Sequence, residues 1–493
     1  MAVNEAPLLG AATLKRLPEQ ARPLMTPGDA GAGIVHLGLG AFHRAHQAVY
    51  TEEAIAAAGG DWGIIGVAPR SAAVVADLTA QDHLFSVTTV SGEGTGTRVC
   101  GVLAGVRHAA GDPGAVVALL ADPAVRVVTL TVTEKAYRLD PATGRLAADD
   151  DLLADLTTDR PPVTVPGLLI RGLLARRRAD AGPIALVSCD NLPSNGRRLR
   201  GLVEQALHRA EPGAAQWVHD NTGFPSTMVD RIVPATTVQT LALAATALGA
   251  RDLAAVHGEP YRQWVIEDDF PGGRPAWERA GAVLTTDAGP WEKLKLRTLN
   301  GVHSGIAYLG ALAGRETIAD ALQIPGLAAA MRRFVAEDVA GSLTPPEGVT
   351  AVGYGGSVLQ RFANPAIAHR TVQVAMDGSQ KLPQRVLHTI ADRRAAGATP
   401  RWAALVVAAW MRFVQGTADD GSALPLDDPL ADEIRQRLSA APRTPDGVAG
   451  ALFGLRTVFP AELAGDDTVR ALVVEWLTAL DKHGVEATLV GAG

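Results

Sequence analysis

The chain has 493 residues, enough for two to four domains at roughly 100–200 residues each, two large ones being the simplest division. A hydrophobic fraction of 47% with 20% charged residues fits a soluble globular protein, and 52 Gly with 31 Pro fall short of the roughly 25–30% that marks low-complexity disorder. A net charge of −7 argues against nucleic acid or an anionic membrane as the main partner, because both need a basic footprint.

Residues 1–30 carry Pro18, Pro23 and Pro27 in a Gly/Ala background and read as an irregular, surface-bound lead-in. The apolar run Gly33–Leu37 then ends in Gly38 and Gly40, and a helix is predicted from about Ala45 to Ala58. Strand composition returns over 62–68, 84–90, 125–133 and 184–188, with a helical stretch over 71–78. Strands alternating with helices across the first 190 residues predict a parallel sheet with helical crossovers, whose ligands lie outside the carboxyl ends of the strands. The densest basic run, Arg176–Arg177–Arg178, reads as a solvated helix face, and Val233–Ala250 is too short and too polar to span a bilayer. Beyond about residue 285 long amphipathic segments dominate (294–312, 326–340, 401–415 and 468–483), so that half reads as mostly helical. No charged segment followed by an apolar core opens the chain, which makes a reducing cytoplasm the expected location. Cys100 and Cys189, the two cysteines, exclude a disulfide scaffold and a multi-Cys zinc site.

Several residues carry chemistry. Gly38-Leu39-Gly40 after a strand allows a tight turn and close backbone approach to a pyrophosphate, and Arg44 is placed to pair with a phosphate. His43 stands where the third glycine of such a fingerprint belongs, so a plain strand–helix turn is the alternative. The second strand ends in Ala68-Pro69-Arg70-Ser71, with no acid for a ribose, and Arg70 and Ser71 suit a 2′-phosphate. Asn191 follows the strand 184–188 where ligand residues belong, or forms an Asx turn with Asp190. Lys295, Asn300 and His303 lie in one helical stretch. At about 100° per residue Asn300 sits roughly 140° and His303 roughly 80° from Lys295, so the three share a broad face. A lysine serves as general base where its surroundings favour the amine, and an amide donates to a developing alkoxide. The bland reading is a surface lysine, a polar cap and a core histidine. Asp230 with Arg231, and the donor-rich stretch His369–Lys381, are ligand candidates or structural ion pairs, Arg370 and Lys381 being suited to a carboxylate.

These segments together resemble the polyol-specific long-chain dehydrogenases, the mannitol dehydrogenase and fructuronate reductase family. The resembling stretches are 34–46, 131–137, 188–191, 224–234, 293–303 and 376–383. The resemblance implies an α/β fold, with a Rossmann-like dinucleotide-binding domain over 1–285 and a mostly α-helical substrate and catalytic domain over 286–493. It implies a nicotinamide cofactor, NAD with NADP possible, and no metal. The partner it implies is a small polyol or sugar acid, on a monomer or small homo-oligomer. Lys295 matches the family's base, and Asn191 and Asn300 match the pair that stabilises the reacting oxygen. His303 matches a substrate-orienting histidine, and Glu292 an acid for proton exchange with water. Asp230 and Lys381 match substrate contacts, and Gly38, Gly40, Phe42 and Arg44 match the cofactor loop, with Arg70 beside it. Gln373 replaces the arginine of mannitol-type members, and the surrounding motifs look more like the fructuronate reductases. That branch holds a carboxylate, for which Arg370 is the expected anchor. The implied reaction is hydride transfer at C2, with D-mannonate and D-fructuronate the leading pair and D-mannitol and D-fructose the runner-up. A nucleotide or sugar-acid binding module without turnover is the non-enzyme alternative. A methyltransferase on a similar turn fits the first 190 residues alone.

Overall fold

The computed structural model describes residues 6–140, 143–366 and 369–492. The chain divides into two compact units, Met1–Ala288 and Gly289–Gly493.

The N-terminal unit is built on a six-stranded parallel sheet of β1 (Ala32–Leu37), β2 (Gly63–Ala68), β3 (Leu103–His108), β4 (Val127–Leu130), β5 (Ile184–Ser188) and β6 (Thr222–Gly223). Their order is β3-β2-β1-β4-β5-β6, the doubly wound arrangement whose direction reverses between β1 and β4. Successive side chains alternate between two cores. Ile34, Val127, Ala185 and Val187 enter one; Val35, Val128, Ile184 and Leu186 enter the other. Burial on both faces explains why these strands read as unbroken apolar runs.

Three expectations are corrected here. The strand predicted over 84–90 lies outside the parallel sheet: Phe85–Ser91 pairs antiparallel with Gly94–Cys100 and parallel with Val256–Gly258. Its place at the sheet edge is taken by β3, whose sequence LAGVRH carries one β-branched residue and little strand signal. A third sheet, Thr227–Asp230, Gln263–Glu267 and Val283–Thr285, occupies a region without a predicted strand. The basic run is a solvated face only in part, with Arg178 exposed and Arg176 not. Arg176 is fully buried and donates to the carbonyls of Leu120, Asp122, Ala181, Gly182 and Pro183, while Arg177 and Arg178 pair with Glu211. The lead-in is anchored by Leu9, Leu17 and Ala21, which pack with Leu84, Val99, Leu248 and Ala250.

The C-terminal unit is helical. Arg401–Phe413 is apolar on nearly every side and lies buried at its centre. The first helical stretch is not one regular helix: α-helix over Gly289–Lys295 gives way to a π segment over Leu296–Asn300, and α-helix resumes over Gly301–Leu312. Two further π segments, Phe334–Val339 and Pro383–Leu387, pack against the first. Gly301 permits that approach, since a Cβ there would lie 3.0 Å from both the Arg385 carbonyl and the Phe334 ring. No helix among the described residues is long and apolar enough to cross a membrane.

Candidate functional site

In the N-terminal unit the candidate residues gather at the carboxyl ends of β1, β2, β4 and β5. Gly38 has φ +108°, and a Cβ there would stand 2.0 Å from the Thr131 carbonyl oxygen, so only glycine fits between β1 and β4. Gly40 is exposed, and a Cβ on it would meet only the Gly38 carbonyl, at 3.8 Å. The first glycine thus serves chain packing, and the second leaves the backbone open to a ligand. A helix over Ala41–Ala45 follows, broken at His46, and a second runs from Gln47 to Ala58.

His43, in place of a third glycine, stacks on His36 with ring centroids 3.4 Å apart. His36 reaches Thr129 Oγ1 at 2.7 Å, Thr131 Oγ1 at 2.9 Å and the Gly38 carbonyl at 3.1 Å, tying the turn to β4. Burial lowers the His36 pKa to about 3 and that of His43 well below its usual value, so both rings are neutral. Phe42 stacks on His46 at 5.0 Å. Arg44 is buried, its Nε lacks a hydrogen-bond partner among the described residues, and Asp252 and Asp77 are the acids that act on it. Arg70 is exposed past β2, its carbonyl bonded to His108.

Asn191 is exposed beyond β5. The carboxylate of its neighbour Asp190 forms no Asx turn and is spent on the segment after β4. The carboxylate accepts the backbone N–H groups of Val132 and Thr133, each at 3.0 Å, and the Tyr137 hydroxyl at 2.7 Å. This clamp holds Thr133 at φ +73°, ψ +156°, a conformation that a β-branched residue adopts only under constraint. Asp190, Thr133 and Tyr137 were not assigned roles by sequence reasoning; the acid directly before Asn191 was the available signal. Asp230 closes the strand Thr227–Asp230 and is buried. Arg231 beside it donates to the carbonyls of Glu259, at 3.0 Å, and Ala45.

In the C-terminal unit Lys295 is buried, at 8% exposure, on the last position before the π segment that Asn300 closes. This corrects the angular argument made for a regular α-helix. A π turn bonds residue i to i+5, so the five-residue step from Lys295 to Asn300 spans about one wide turn and brings them closer to one line. Glu292 lies half-buried within the preceding turn. Lys293 and Arg297 are engaged elsewhere: both reach Asp392, at 3.4 and 2.6 Å, and Arg297 also donates to the Ser342 carbonyl.

His303 stacks on Phe362 at 4.5 Å and lies 5.1 Å from the His369 ring. Among the described residues its buried Nε2 has no hydrogen-bond partner. Burial, reinforced by His369, Arg385, Lys381 and Arg361, holds its pKa well below normal. Lys381 donates to the Met376 carbonyl and lies 3.8 Å from Asp377. Arg370 does not join this group. Its side chain is 61% exposed and faces Glu316 at 3.8 Å, and Gln373 is exposed on the helix Thr371–Ala375. The structure brings Lys381 to His303 and leaves Arg370 and Gln373 outside. Arg385, which it does bring there, was legible only as the last residue of the stretch Gln380–Arg385, four beyond Lys381.

Comparison with known proteins supplies a frame for both halves. The mannitol dehydrogenase Rossmann domain model matches residues 32–279, and the mannitol dehydrogenase C-terminal domain model matches residues 287–481. The chain is 40% identical to the D-mannonate oxidoreductase of Escherichia coli over 90% of its own length and 92% of that protein's. It is 36% identical to the mannitol 2-dehydrogenase of Cereibacter sphaeroides, covering 96% and 97% of the two chains. A solved Pseudomonas fluorescens mannitol 2-dehydrogenase, in ternary complex with NAD and D-mannitol, superposes with a TM-score of 0.85 at 33% identity, covering 98% of this chain and 99% of that one.

Proposed function

The chain belongs to the mannitol dehydrogenase family, a family of polyol and sugar-acid dehydrogenases, and from that premise we propose that it reduces a linear sugar acid, D-fructuronate, to D-mannonate, and catalyses the reverse oxidation. The N-terminal unit is the dinucleotide-binding domain and the C-terminal unit the catalytic domain. Gly38 and Gly40 suit a dinucleotide, because Gly40 leaves open backbone at the reversal point of the sheet. The cofactor is NAD, which when bound supplies or accepts the hydride. Arg70 and Ser71, without a neighbouring acid, leave NADP as the second arm of the test.

In the oxidation Lys295, as the amine, takes the substrate's hydroxyl proton, and in the reduction its ammonium returns it. Asn300 donates to the oxygen as negative charge develops there. His303, kept neutral by burial, holds a second hydroxyl through its otherwise unpartnered Nε2. Glu292, one turn before Lys295, passes the proton onward to water.

The observation that carries the sugar-acid reading is the cationic side of His303: Arg385 bonds the adjacent Ser304 hydroxyl at 3.0 Å, and Arg385, Lys381 (itself 3.8 Å from Asp377) and Arg361 all act on the ring. A substrate with a terminal carboxylate complements that field and a neutral polyol does not. The test is oxidation of NADH followed at 340 nm with D-fructuronate and D-fructose in parallel, repeated with NADPH. A higher kcat/KM for fructuronate is expected. A higher value for fructose assigns the chain to D-mannitol and D-fructose instead.

A further inference from the structure

Arg385 sits on the π segment Pro383–Leu387, one helical turn beyond Lys381. Its Nη1 donates to Ser304 Oγ at 3.0 Å, and Ser304 is the residue after His303. Among the described residues that hydroxyl is its one hydrogen-bond partner, and no carboxylate forms an ion pair with it. The Nε–Nη2 edge of the fork is left unfilled. The ionisable group that acts on it is the Tyr308 phenol, whose own buried hydroxyl has no partner among the described residues. Burial pushes the Arg385 pKa down, the sign expected of a cation short of counter-charge. Arginine cannot respond by losing its proton, as a lysine or histidine does.

We propose that Arg385 is the carboxylate anchor of this enzyme: its open guanidinium edge binds the substrate's terminal carboxylate, with Lys381 as the second cation and Ser304 fixing the plane of the fork. This rests on the reading of the substrate as a sugar acid. Ser304 and His303 are consecutive, so the group that orients the anchor and the group that holds a hydroxyl are set by one turn of helix. A carboxylate matches a planar fork with two parallel hydrogen bonds, which a terminal hydroxymethyl cannot make. Arg370, exposed and facing Glu316, does not fill this role.

The experiment measures kcat/KM for D-fructuronate and D-fructose, with NADH, in the wild type, Arg385→Ala, Arg385→Lys and Arg370→Ala. In Arg385→Ala the fructuronate-to-fructose ratio is expected to fall about 100-fold or more, chiefly through KM for fructuronate. Guanidinium ion at tens of millimolar, roughly, is expected to restore part of it, because the missing group is a planar donor. Arg385→Lys keeps the charge but loses the fork, and an intermediate ratio is expected. NADH binding by fluorescence checks that each variant is folded. If the alanine variant fails that check, the lysine variant carries the test. A wild-type ratio retained in Arg385→Lys, or in a folded Arg385→Ala, overturns the anchor while the sugar-acid reading stands. A larger fall in Arg370→Ala than in either Arg385 variant does the same. A wild type that prefers fructose overturns both.

Discussion

Two arginines, one buried and one half-buried, show what burial does and does not reveal. Arg176, in the N-terminal unit, is wholly enclosed and spends its donors on the carbonyls of Leu120, Asp122, Ala181, Gly182 and Pro183. Arg385, in the C-terminal unit, has one hydroxyl. The more deeply buried cation is therefore architecture: it ties the loop after one helix to the loop before β5, and nothing is left for a ligand. The less buried one has capacity to spare beside a histidine in the same condition. Unfilled hydrogen-bonding capacity, rather than burial or charge, separates the recognition residue from the structural one.

The largest expected effect tests the catalytic end of that contrast. General acid–base catalysis contributes about 10²–10⁴-fold, so Lys295→Ala should lower kcat by at least that range's lower bound while leaving the urea midpoint near that of the wild type. The neighbouring charges provide the control within the same helix. Lys293 and Arg297 are bound to Asp392, so their removal should appear in unfolding curves before it appears in turnover. A Lys295→Ala enzyme that turns over near the wild-type rate would show that this buried lysine, too, is architecture.

Arg176→Met probes the other end. It leaves the carbonyls of Leu120, Asp122, Ala181, Gly182 and Pro183 without their donor in a buried site. Removing one side of a buried polar network costs about 3–5 kcal/mol, readable by urea denaturation, with kcat/KM of the folded enzyme unchanged. A cost below about 1 kcal/mol would mean that the carbonyls find other partners, and the contrast between the two arginines would lose its structural half.

How much of this was legible in the sequence follows the same division. Backbone demands leave local marks: Gly38 is dictated by a clash with the Thr131 carbonyl, and β1, β2 and β5 announce themselves by apolar runs. The spacing of Lys295, Asn300 and His303 was equally plain, but its geometry was not, because a π segment differs from an α-helix in hydrogen bonding that composition does not encode. Partner counts were hidden altogether. Nothing local separates Arg370 from Arg385, or marks Arg176 as buried, since each is decided by segments distant in the chain. The clamp of Asp190 on Thr133 is hidden in the same way, joining residues 57 apart.

Glu52 sharpens the rule by showing the alternative open to a group with unfilled capacity. It is fully buried on the helix Gln47–Ala58; one carboxylate oxygen accepts the Gly101 N–H at 2.7 Å, and the other has no hydrogen-bond partner among the described residues, with Arg98 4.0 Å away. Burial raises its pKa from 4.5 to about 7. The folded chain therefore binds this proton more tightly than the unfolded one. The stabilisation is fully present below pH 4.5 and is lost as pH rises to about 7, a change on the order of 3 kcal/mol. Glu52→Gln keeps the acceptor for Gly101 and cannot ionise. Its stability relative to wild type should accordingly be greater at pH 8 than at pH 4.5 by that amount, measured as urea midpoints at the two values. An unchanged difference would place a compensating partner on the second oxygen. A buried carboxyl that lacks a partner can take a proton, and a buried histidine can give one up. Arg385 can do neither, which leaves an anionic ligand as the way its charge is met.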